Sequence, residues 1–355
     1  MTRAPWGFAG MLLAVAAVES WVADRPERFT DPASLGWRAS AEAASGVAVD
    51  ADVLILGDSL AKHGLLPARL NAMTGRAAYN LAAPAAPVPL AYFLLRRALD
   101  AGARPSAIVV DLAPDLLAGG PGYRERSWPE ALSTGEIMEL AIEARSASLP
   151  ARVVVGRWSA TCRGRFEVRA AVVSALRGEP SRLEGSNRAM LAAWRRDLGA
   201  NRDGDAPPFD GRVSEADHRR LMDHAFRVHR VNARYLDKLL RLAEGRGIAV
   251  RLLVPPVAPE VQARRDAVGA DAAYTAFLTE IAREHPGVVV LDARRLGLDA
   301  RSFVDPIHLG AAGAGALTGA VAARLDARST AWVTLGPRPI VAQSTDPHAD
   351  ARGRR

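Results

Sequence analysis

Along this 355-residue chain, short apolar runs alternate with longer stretches of helical periodicity, and this alternation constrains the fold more than any other feature. Five of the runs have the length and composition of buried strands; they span 52–56, 77–81, 107–112, 248–254 and 287–292. Strands that alternate with helices are joined by right-handed crossovers, which give a parallel sheet covered on both faces. The sequence therefore predicts an α/β fold, a three-layer sandwich with a parallel sheet of about five strands.

The stretches between the runs predict the helices of the two outer layers. Apolar residues recur at helical spacing over 60–73, 87–101, 218–244, 258–284 and 311–325. Residues 116–215 break the alternation, because Gly/Pro-rich joints there flank stretches of helical character at 136–145, 153–176 and 188–198. We expect a largely helical insertion between the third and fourth strands, which would cap a site at the sheet edge and shape substrate entry.

The N-terminal sequence predicts targeting to a membrane. An apolar run from about residue 4 to residue 18 is typical of a signal peptide or a short signal anchor over residues 1–23. The pair of small residues before a cleavage site is incomplete at Ala23, because Trp21 occupies the position two residues earlier, so anchoring is favoured over removal. We expect an exposed helix detached from the core. The alternative is a buried N-terminal helix of a soluble protein.

Composition sets the other boundaries. Residues 24–50 are mixed and polar with scattered Pro and Gly, which predicts a linker. The alternating pattern places the main domain, with its insertion, at 51–330. Several prolines and an Arg-rich end predict a disordered tail over 331–355.

Charge, cysteine and histidine content exclude several functions. The net charge is +7, but the arginines are scattered among acids and form no basic stripe with aromatics between, so we predict no nucleic-acid binding. Cys162 is the only cysteine, which excludes an intrachain disulfide. His218, His224 and His229 include no pair at the i, i+4 spacing of helical zinc motifs. We therefore predict no metal site and no cofactor.

Two short motifs at opposite ends of the domain carry the candidate chemistry. A Gly-Asp-Ser motif ending at Ser59 follows the first apolar run, and an Asp-Pro-Ile-His motif from Asp305 to His308 precedes the last helix. A serine at the C-terminal tip of a strand is well placed as a nucleophile, but it needs a base and a group that orients the base. His308 and Asp305 would supply both from one turn. The alternatives are structural: Ser59 as a helix N-cap and His308 as a capping or core histidine.

The two motifs resemble those of a known enzyme superfamily. Gly-Asp-Ser-Leu at 57–60 after a strand, with Asp-x-x-His at 305–308 before the last helix, is similar to the SGNH (GDSL-type) hydrolases. Within that superfamily the chain resembles the membrane-anchored bacterial branch that includes alginate O-acetyltransferase-like and teichoic-acid D-alanylation proteins. The resemblance covers about 51–115 and 216–326, and it implies a flavodoxin-like sandwich.

The resemblance also implies roles for individual residues. Ser59 would be the nucleophile, His308 the general base, and Asp305 the group that holds the imidazole tautomer. The backbone N–H of Ser59 would donate to the oxyanion. The second motif of the family, Asn-x-Gly, is Asn-Leu-Ala here, so the N–H of Ala82 would be another donor.

The third motif of the family departs from the pattern in this chain. Its Asn side-chain donor falls at Asp115, and an ionised carboxylate accepts hydrogen bonds but cannot donate them. Asp58 and Asn80 are candidates for substrate binding; the alternatives are that Asp58 bonds nearby backbone and that Asn80 is a turn residue. Lys62 and His63, about one helical turn after Ser59, would touch substrate or, as the favoured alternative, face solvent.

The sequence as a whole predicts a membrane-anchored, extracytoplasmic serine esterase or O-acyltransferase. Its substrate would be an acyl ester or an acylated polysaccharide of the cell envelope, its partners proteins of polysaccharide modification, and its membrane contact the N-terminal helix. One alternative is a non-catalytic scaffold of the same fold in an envelope polysaccharide assembly. The others are a secreted protein and a soluble cytoplasmic esterase.

Overall fold

The fold is built on one six-stranded parallel sheet. The computed structural model describes residues 6–202, 206–217, 226–326 and 331–336. The strands are β1 (Val53–Leu56), β2 (Ala78–Asn80), β3 (Ala107–Asp111), β4 (Ala249–Val254), β5 (Val288–Asp292) and β6 (Trp332–Thr334). Their order is β2-β1-β3-β4-β5-β6, and every neighbouring pair is parallel. The first five follow the flavodoxin-like order, so the predicted α/β class and parallel sheet are confirmed.

Helices cover both faces of the sheet. Those that the structure describes are α1 (Trp6–Ala23), α2 (Pro26–Phe29), α3 (Pro32–Ala44), α4 (Ser59–Gly64), α5 (Pro67–Thr74), α6 (Val88–Asp100), α7 (Pro114–Ala118), α8 (Trp128–Ala131), α9 (Thr134–Ala144), α10 (Ser148–Trp158), α11 (Ala160–Arg163), α12 (Arg165–Leu176), α13 (Arg182–Arg196), α14 (Arg230–Glu244), α15 (Pro259–Ala267), α16 (Ala270–Glu284) and α17 (Ala311–Ala322). Successive side chains of β1 alternate between two apolar clusters: Leu54 and Leu56 lie in one, Val53 and Ile55 in the other. This alternation is the strand period of two, and it explains why the run is apolar throughout.

Several predicted helices are interrupted. The stretch 60–73 forms two helices because Pro67 begins α5 and disfavours helical backbone in the residue before it. The stretch 258–284 is divided at Gly269, whose φ is +66°. The stretch 153–176 contains the end of α10 and all of α11 and α12. In the predicted helix 218–244, helical structure begins at Arg230; residues 226–229 are not helical, and 218–225 lie outside the described residues.

The predicted linker at 24–50 is wrong, because much of this segment is folded into the domain. It contains α2 and α3, and the side chain of Asp31 caps α3 by accepting from Ser34 N. Trp37 on α3 is 0% exposed, donates from Nε1 to the Pro84 carbonyl at 2.9 Å, and packs edge-to-face on Trp128. Small residues dominate α3, so its sequence lacks the strong apolar periodicity of the other helices.

The start of the predicted disordered tail is also wrong. Trp332–Thr334 form the sixth strand, in register with Val290–Asp292 of β5, and Leu335 is buried behind it. Three residues are too few to show a strand period in sequence, so this edge strand is specified only by its pairing. Residues 337–355 lie outside the described residues.

The N-terminal helix is long and apolar enough to cross a membrane by length and composition. It is exposed along most of its 18 residues, which confirms the predicted exposed helix. Its last turn is not detached, however. Val22 is buried against Phe29, Ala160 and Ala171, and Glu19 accepts hydrogen bonds from the insertion.

The insertion at 116–215 is largely helical, as predicted. Its helices pack mainly on α1, α2 and α3. The buried amide of Asn187 on α13 donates to the Glu27 and Thr30 carbonyls at 2.8 and 3.0 Å, and Arg38 on α3 pairs with Glu130 at 2.7 Å. The insertion and the N-terminal segment therefore form one packed unit beside the sheet.

Candidate active site

Ser59 lies at the turn from β1 into α4, at the carboxyl end of the sheet. The turn depends on Gly57, whose φ is +135°. A Cβ atom at this position would lie 2.6 Å from Asp111 Cβ on the neighbouring strand, so a larger residue would collide as well as be strained. The close approach of β1 and β3 makes Ser59 the first residue of α4, at the edge where ligands bind in open α/β sheets.

The structure brings Ser59, His308 and Asp305 together. His308 Nε2 is 2.8 Å from Ser59 Oγ, and His308 Nδ1 is 2.6 Å from Asp305 Oδ2. Ser59 and His308 are 249 positions apart in the sequence. The parallel crossovers bring both of them to the same edge of the sheet. The arrangement has the nucleophile, base and orienting acid in one hydrogen-bonded line.

The loop around Asp305 fixes this carboxylate. Its Oδ1 accepts from the backbone N–H groups of Ile307 and His308 at 2.9 and 2.7 Å. Partial burial raises the pKa of Asp305, but the hydrogen bond and charge of His308 and the two N–H donors outweigh it and lower the pKa to about 2. Asp305 is therefore ionised at neutral pH and holds a proton on His308 Nδ1, which leaves Nε2 to accept from Ser59.

Two carboxyl groups cap the start of α4 around Ser59. Asp58 Oδ1 accepts from Leu60 N at 2.6 Å, and Asp111 Oδ2 accepts from Ala61 N at 3.0 Å. The N–H of Ser59 precedes these and has no acceptor within the helix. Asp58 thus bonds nearby backbone, the structural alternative to substrate binding, although it also borders the cavity described below.

Asp58 and Asp111 form a buried carboxyl pair beneath Ser59. Burial and the charge of Asp111 raise the pKa of Asp58 well above its usual range. Burial raises the pKa of Asp111 to about 6, against the lowering effect of hydrogen bonds from Asp58 and from backbone N–H groups. Burial and the closeness of the two carboxyl groups therefore favour a proton on Asp58 rather than two negative charges beneath Ser59. Asp111 was not predicted as a site residue, because in the sequence it is only a polar residue near the end of a predicted strand.

The structure does not support the predicted roles of Asn80 and Ala82. Asn80 is buried, and its Nδ2 donates to the carbonyls of Ala61 and Leu65 at 2.9 and 3.0 Å. Its Oδ1 accepts from Ala82 N at 3.0 Å, so the N–H predicted to bind an oxyanion is already used. Asn80 is the turn residue of the alternative interpretation, and it ties β2 to the end of α4.

A small cavity of about 60 Å³ opens beside Ser59 and His308. Asp115 on α7 is exposed and borders this cavity, so the structure brings the departure from the motif close to Ser59 and His308. Ala85 reaches the cavity from the loop after β2 with a φ of +51°, a strained backbone for alanine. Sequence analysis missed the polar residues of the opposite wall, which come from α15 and the loop after β5: Gln262, Arg265 and Arg294.

His63 packs against the candidate base. Its ring centroid is 4.7 Å from that of His308, and its Nε2 is 3.1 Å from Asn201 Nδ2. Asn201 N also donates to the Lys62 carbonyl at 2.8 Å. The end of the insertion therefore supports the His308 imidazole from behind, through His63, and His63 does not simply face solvent.

Lys62 is buried, contrary to the favoured expectation of solvent exposure. Its Nζ donates to the Ala82 carbonyl at 2.8 Å and lies 4.2 Å from the centroid of the Trp194 ring. The ring favours the charged ammonium, but burial dominates and lowers the pKa of Lys62 to about 7. The insertion creates this environment, because Trp194 belongs to α13.

The described part of the insertion, 116–202 and 206–215, does not cap the cavity as predicted. Within its described part, only Leu116 borders the cavity. Among the described residues, no group of three or more His, Cys, Asp or Glu side chains is arranged to hold a metal ion. His229 accepts from Val231 N as the N-cap of α14, and His218 and His224 lie outside the described residues.

Comparison with known proteins adds no assignment. No protein-family model matches this chain, and no curated protein is significantly similar to it.

The buried amine of Lys62 predicts how stability depends on pH. An unfolded chain keeps this lysine protonated up to about pH 10.4, whereas the folded protein loses the proton above about pH 7. Between these values the unfolded state binds more protons, so stability rises with pH. We expect Lys62→Met to reduce the gain in unfolding free energy from about pH 7 to about pH 9.5 by about 1–3 kcal/mol, measured by urea denaturation.

The matched control is Lys238→Met, at the only other lysine of the chain. Hydrogen bonds and charges of Glu143 and Glu139 outweigh desolvation and raise the pKa of Lys238, so its proton stays bound over this range. The control should keep the wild-type pH slope. Equal slopes for wild type and Lys62→Met would contradict the assignment.

Proposed function

We propose that this protein is an SGNH-type serine enzyme that transfers or hydrolyses an acyl ester. The observation that carries the proposal is the hydrogen-bonded line from Ser59 through His308 to Asp305. A helix N-cap serine and a capping histidine need no such line, whereas a nucleophile with its base requires it. An oriented, ionised acid behind the base completes the set.

The proposed reaction proceeds in two halves. Ser59 Oγ attacks the acyl carbonyl while His308 Nε2 takes the hydroxyl proton, and Asp305 stabilises the imidazolium that forms. The tetrahedral intermediate collapses, the alcohol leaves with the proton from His308, and the acyl group remains on Ser59. Water or a sugar hydroxyl then gives its proton to His308 and attacks the acyl-enzyme. The second tetrahedral intermediate collapses, the bond from the acyl carbon to Ser59 Oγ breaks, and His308 returns the proton to Ser59 as the acid or the new ester is released.

Oxyanion stabilisation is the weak point of the proposed site. The N–H of Ser59 is a suitable donor, since Asp58 and Asp111 occupy only the next two N–H groups of α4. Asp115 supplies a carboxylate where the family pattern has an amide donor. Loss of one donor costs on the order of a hundredfold in turnover or more, so low activity on generic esters is expected.

The cavity favours a short acyl group. One water needs about 10–15 Å³ of such volume, so about 60 Å³ holds only a few heavy atoms. An acetyl group fits this space. Val261 is buried and lines the cavity, and we expect its side chain to limit the length of the acyl chain.

The proposed setting is the outside of a cell membrane, with α1 as anchor. The motif resemblance suggests a cell-envelope or exopolysaccharide acyl ester as substrate, with proteins of polysaccharide modification as partners. A non-catalytic scaffold of the same fold is the second candidate, and Asp115 is the specific observation that favours it. Reaction at Ser59 distinguishes the two.

The first test is covalent labelling of the nucleophile. A fluorophosphonate probe should label the purified full-length protein at Ser59, identified by peptide mass spectrometry, and Ser59→Ala should abolish labelling. Asp305→Asn should slow labelling by roughly 10³–10⁴-fold, because the imidazole loses its orienting charge.

Asp299→Asn is the matched control for this test, because Asp299 is an exposed acid of the same loop that only caps a short helical turn. It should label at the wild-type rate. A folded protein that does not label, even over long incubation, would leave the scaffold as the better candidate.

The second test measures acyl selectivity. We expect turnover of p-nitrophenyl acetate to exceed that of the octanoate ester by about tenfold or more, because the longer chain clashes with the cavity wall. Val261→Ala removes part of that wall and enlarges the cavity, so it should raise the ratio of octanoate to acetate turnover several-fold. Faster hydrolysis of octanoate by the wild type would refute the short-acyl assignment.

The third test concerns Asp115. Asp115→Asn replaces a charged acceptor with an amide donor of nearly the same shape, and it should raise acetyl-ester turnover by about tenfold or more. Asp115→Leu removes the charge without adding a donor, so it separates relief of repulsion from donation. Addition of Ser59→Ala should remove the gain. A lower rate in the folded Asn variant would indicate that the carboxylate has a role of its own.

A further inference from the structure

The helices of the insertion nearest α1 carry large apolar side chains that the described protein leaves exposed. On α10, the exposed residues Val154, Val155 and Trp158 lie at spacings of three and four and share one helix face. Trp158 is 81% exposed. An exposed tryptophan beside exposed valines is unusual on a soluble surface and marks an interaction site.

Helix α12 continues this apolar surface. Phe166, Val173 and Leu176 are exposed and recur at intervals of seven and three residues, so they form one stripe along the helix. Leu176 is 84% exposed. The opposite side of α12 is used for folding, because Val168 and Ala171 pack against Val22 and Phe29.

The last turn of α1 is fixed to the short helix between these two surfaces. Glu19 accepts from Ser159 Oγ at 2.8 Å, from Thr161 N at 3.0 Å and from Thr161 Oγ1. Glu19 lies four residues before the end of α1 at Ala23, which corresponds to about 6 Å along the helix axis. If α1 enters a bilayer, α11 lies level with its emerging turn, and α10 and α12 lie at the lipid surface.

The charge of this region fits an anionic surface. Residues 148–177 contain six arginines and no lysine, against the single acid Glu167; one of the six, Arg163, is paired with Glu130 at 2.7 Å. Glu167 is already paired with Arg126 at 2.6 Å from outside the segment. Interfacial tryptophan, apolar side chains and basic residues are the combination that binds headgroups of anionic lipid.

We infer that the exposed face of α10–α12 is a lipid-contacting surface that rests on an anionic bilayer beside α1. This inference rests on the proposed membrane anchoring through α1. Lipid is the occupant that the surface fits best, because the face continues directly from a helix of bilayer length and carries the matching charge. The domain is then held at the membrane by two contacts and cannot rotate freely about its anchor.

The experiment uses the full-length protein reconstituted in vesicles of phosphatidylcholine and phosphatidylglycerol in equal parts, with no other protein. In a Cys162→Ser background, a single nitrobenzoxadiazole label is attached through Trp158→Cys. Matched labels are attached through Val268→Cys, at an exposed apolar residue away from the insertion, and through Leu12→Cys within α1. Quenching by lipids with a shallow or deep nitroxide is then measured.

We expect the label at position 158 to be quenched by the shallow nitroxide several-fold more than the label at 268, while the label at 12 is quenched by the deep nitroxide. Quenching at 12 with equal, weak quenching at 158 and 268 would overturn the lipid-contacting surface and leave the anchoring intact. Absence of quenching at 12 would overturn the anchoring and this inference with it. Shielding of 158 from aqueous iodide without lipid quenching would mean that a second copy of the chain covers the face.

The contribution of charge is tested separately. Arg169→Glu should lower shallow quenching at 158 at least twofold, and vesicles of phosphatidylcholine alone should do the same. Arg212→Glu, at an exposed arginine outside the segment, should have no effect. Equal quenching in both vesicle types would overturn the preference for anionic lipid. In each case the labelling of Ser59 by fluorophosphonate in detergent should be unchanged, which separates this surface from the proposed catalytic site.

Discussion

The close approach of β1 and β3 at Gly57 is the constraint on which the rest of the site depends. A side chain at this position would collide with Asp111, so only glycine fits. The backbone turns sharply at Gly57, and α4 begins two residues later at Ser59. The same approach lets the Asp111 carboxylate cap α4. Position of the nucleophile, direction of its helix and burial of a second carboxyl thus follow from one backbone contact. The parallel crossovers then bring His308, which lies near the other end of the domain sequence, next to Ser59.

The carboxyl groups around Ser59 oppose the oxyanion that the proposed reaction would create. Asp58, Asp111 and Asp115 lie around a serine whose reaction would create an oxyanion. Burial and the charge of Asp111 raise the pKa of Asp58, and this favours a smaller negative charge on the buried pair. Asp115 is exposed and lies at the cavity edge.

The insertion works on the site indirectly. Of its described residues only Leu116 borders the cavity, but Trp194 covers Lys62 and Asn201 supports His63 behind the imidazole. Its other face holds the last turn of α1 through Glu19. One helical unit therefore connects the proposed anchor to the back of the proposed catalytic centre.

The sequence by itself determined the parallel α/β fold and the meeting of Ser59, Asp305 and His308, because apolar periodicity and sharp strand ends are local signals. Only the tertiary structure decided the rest. The helix α3, strand β6 and buried Lys62 depend on partners distant in sequence, and composition does not encode such partners. Asn80 likewise binds backbone because α4 folds over it, which withdraws Ala82 from the predicted oxyanion site.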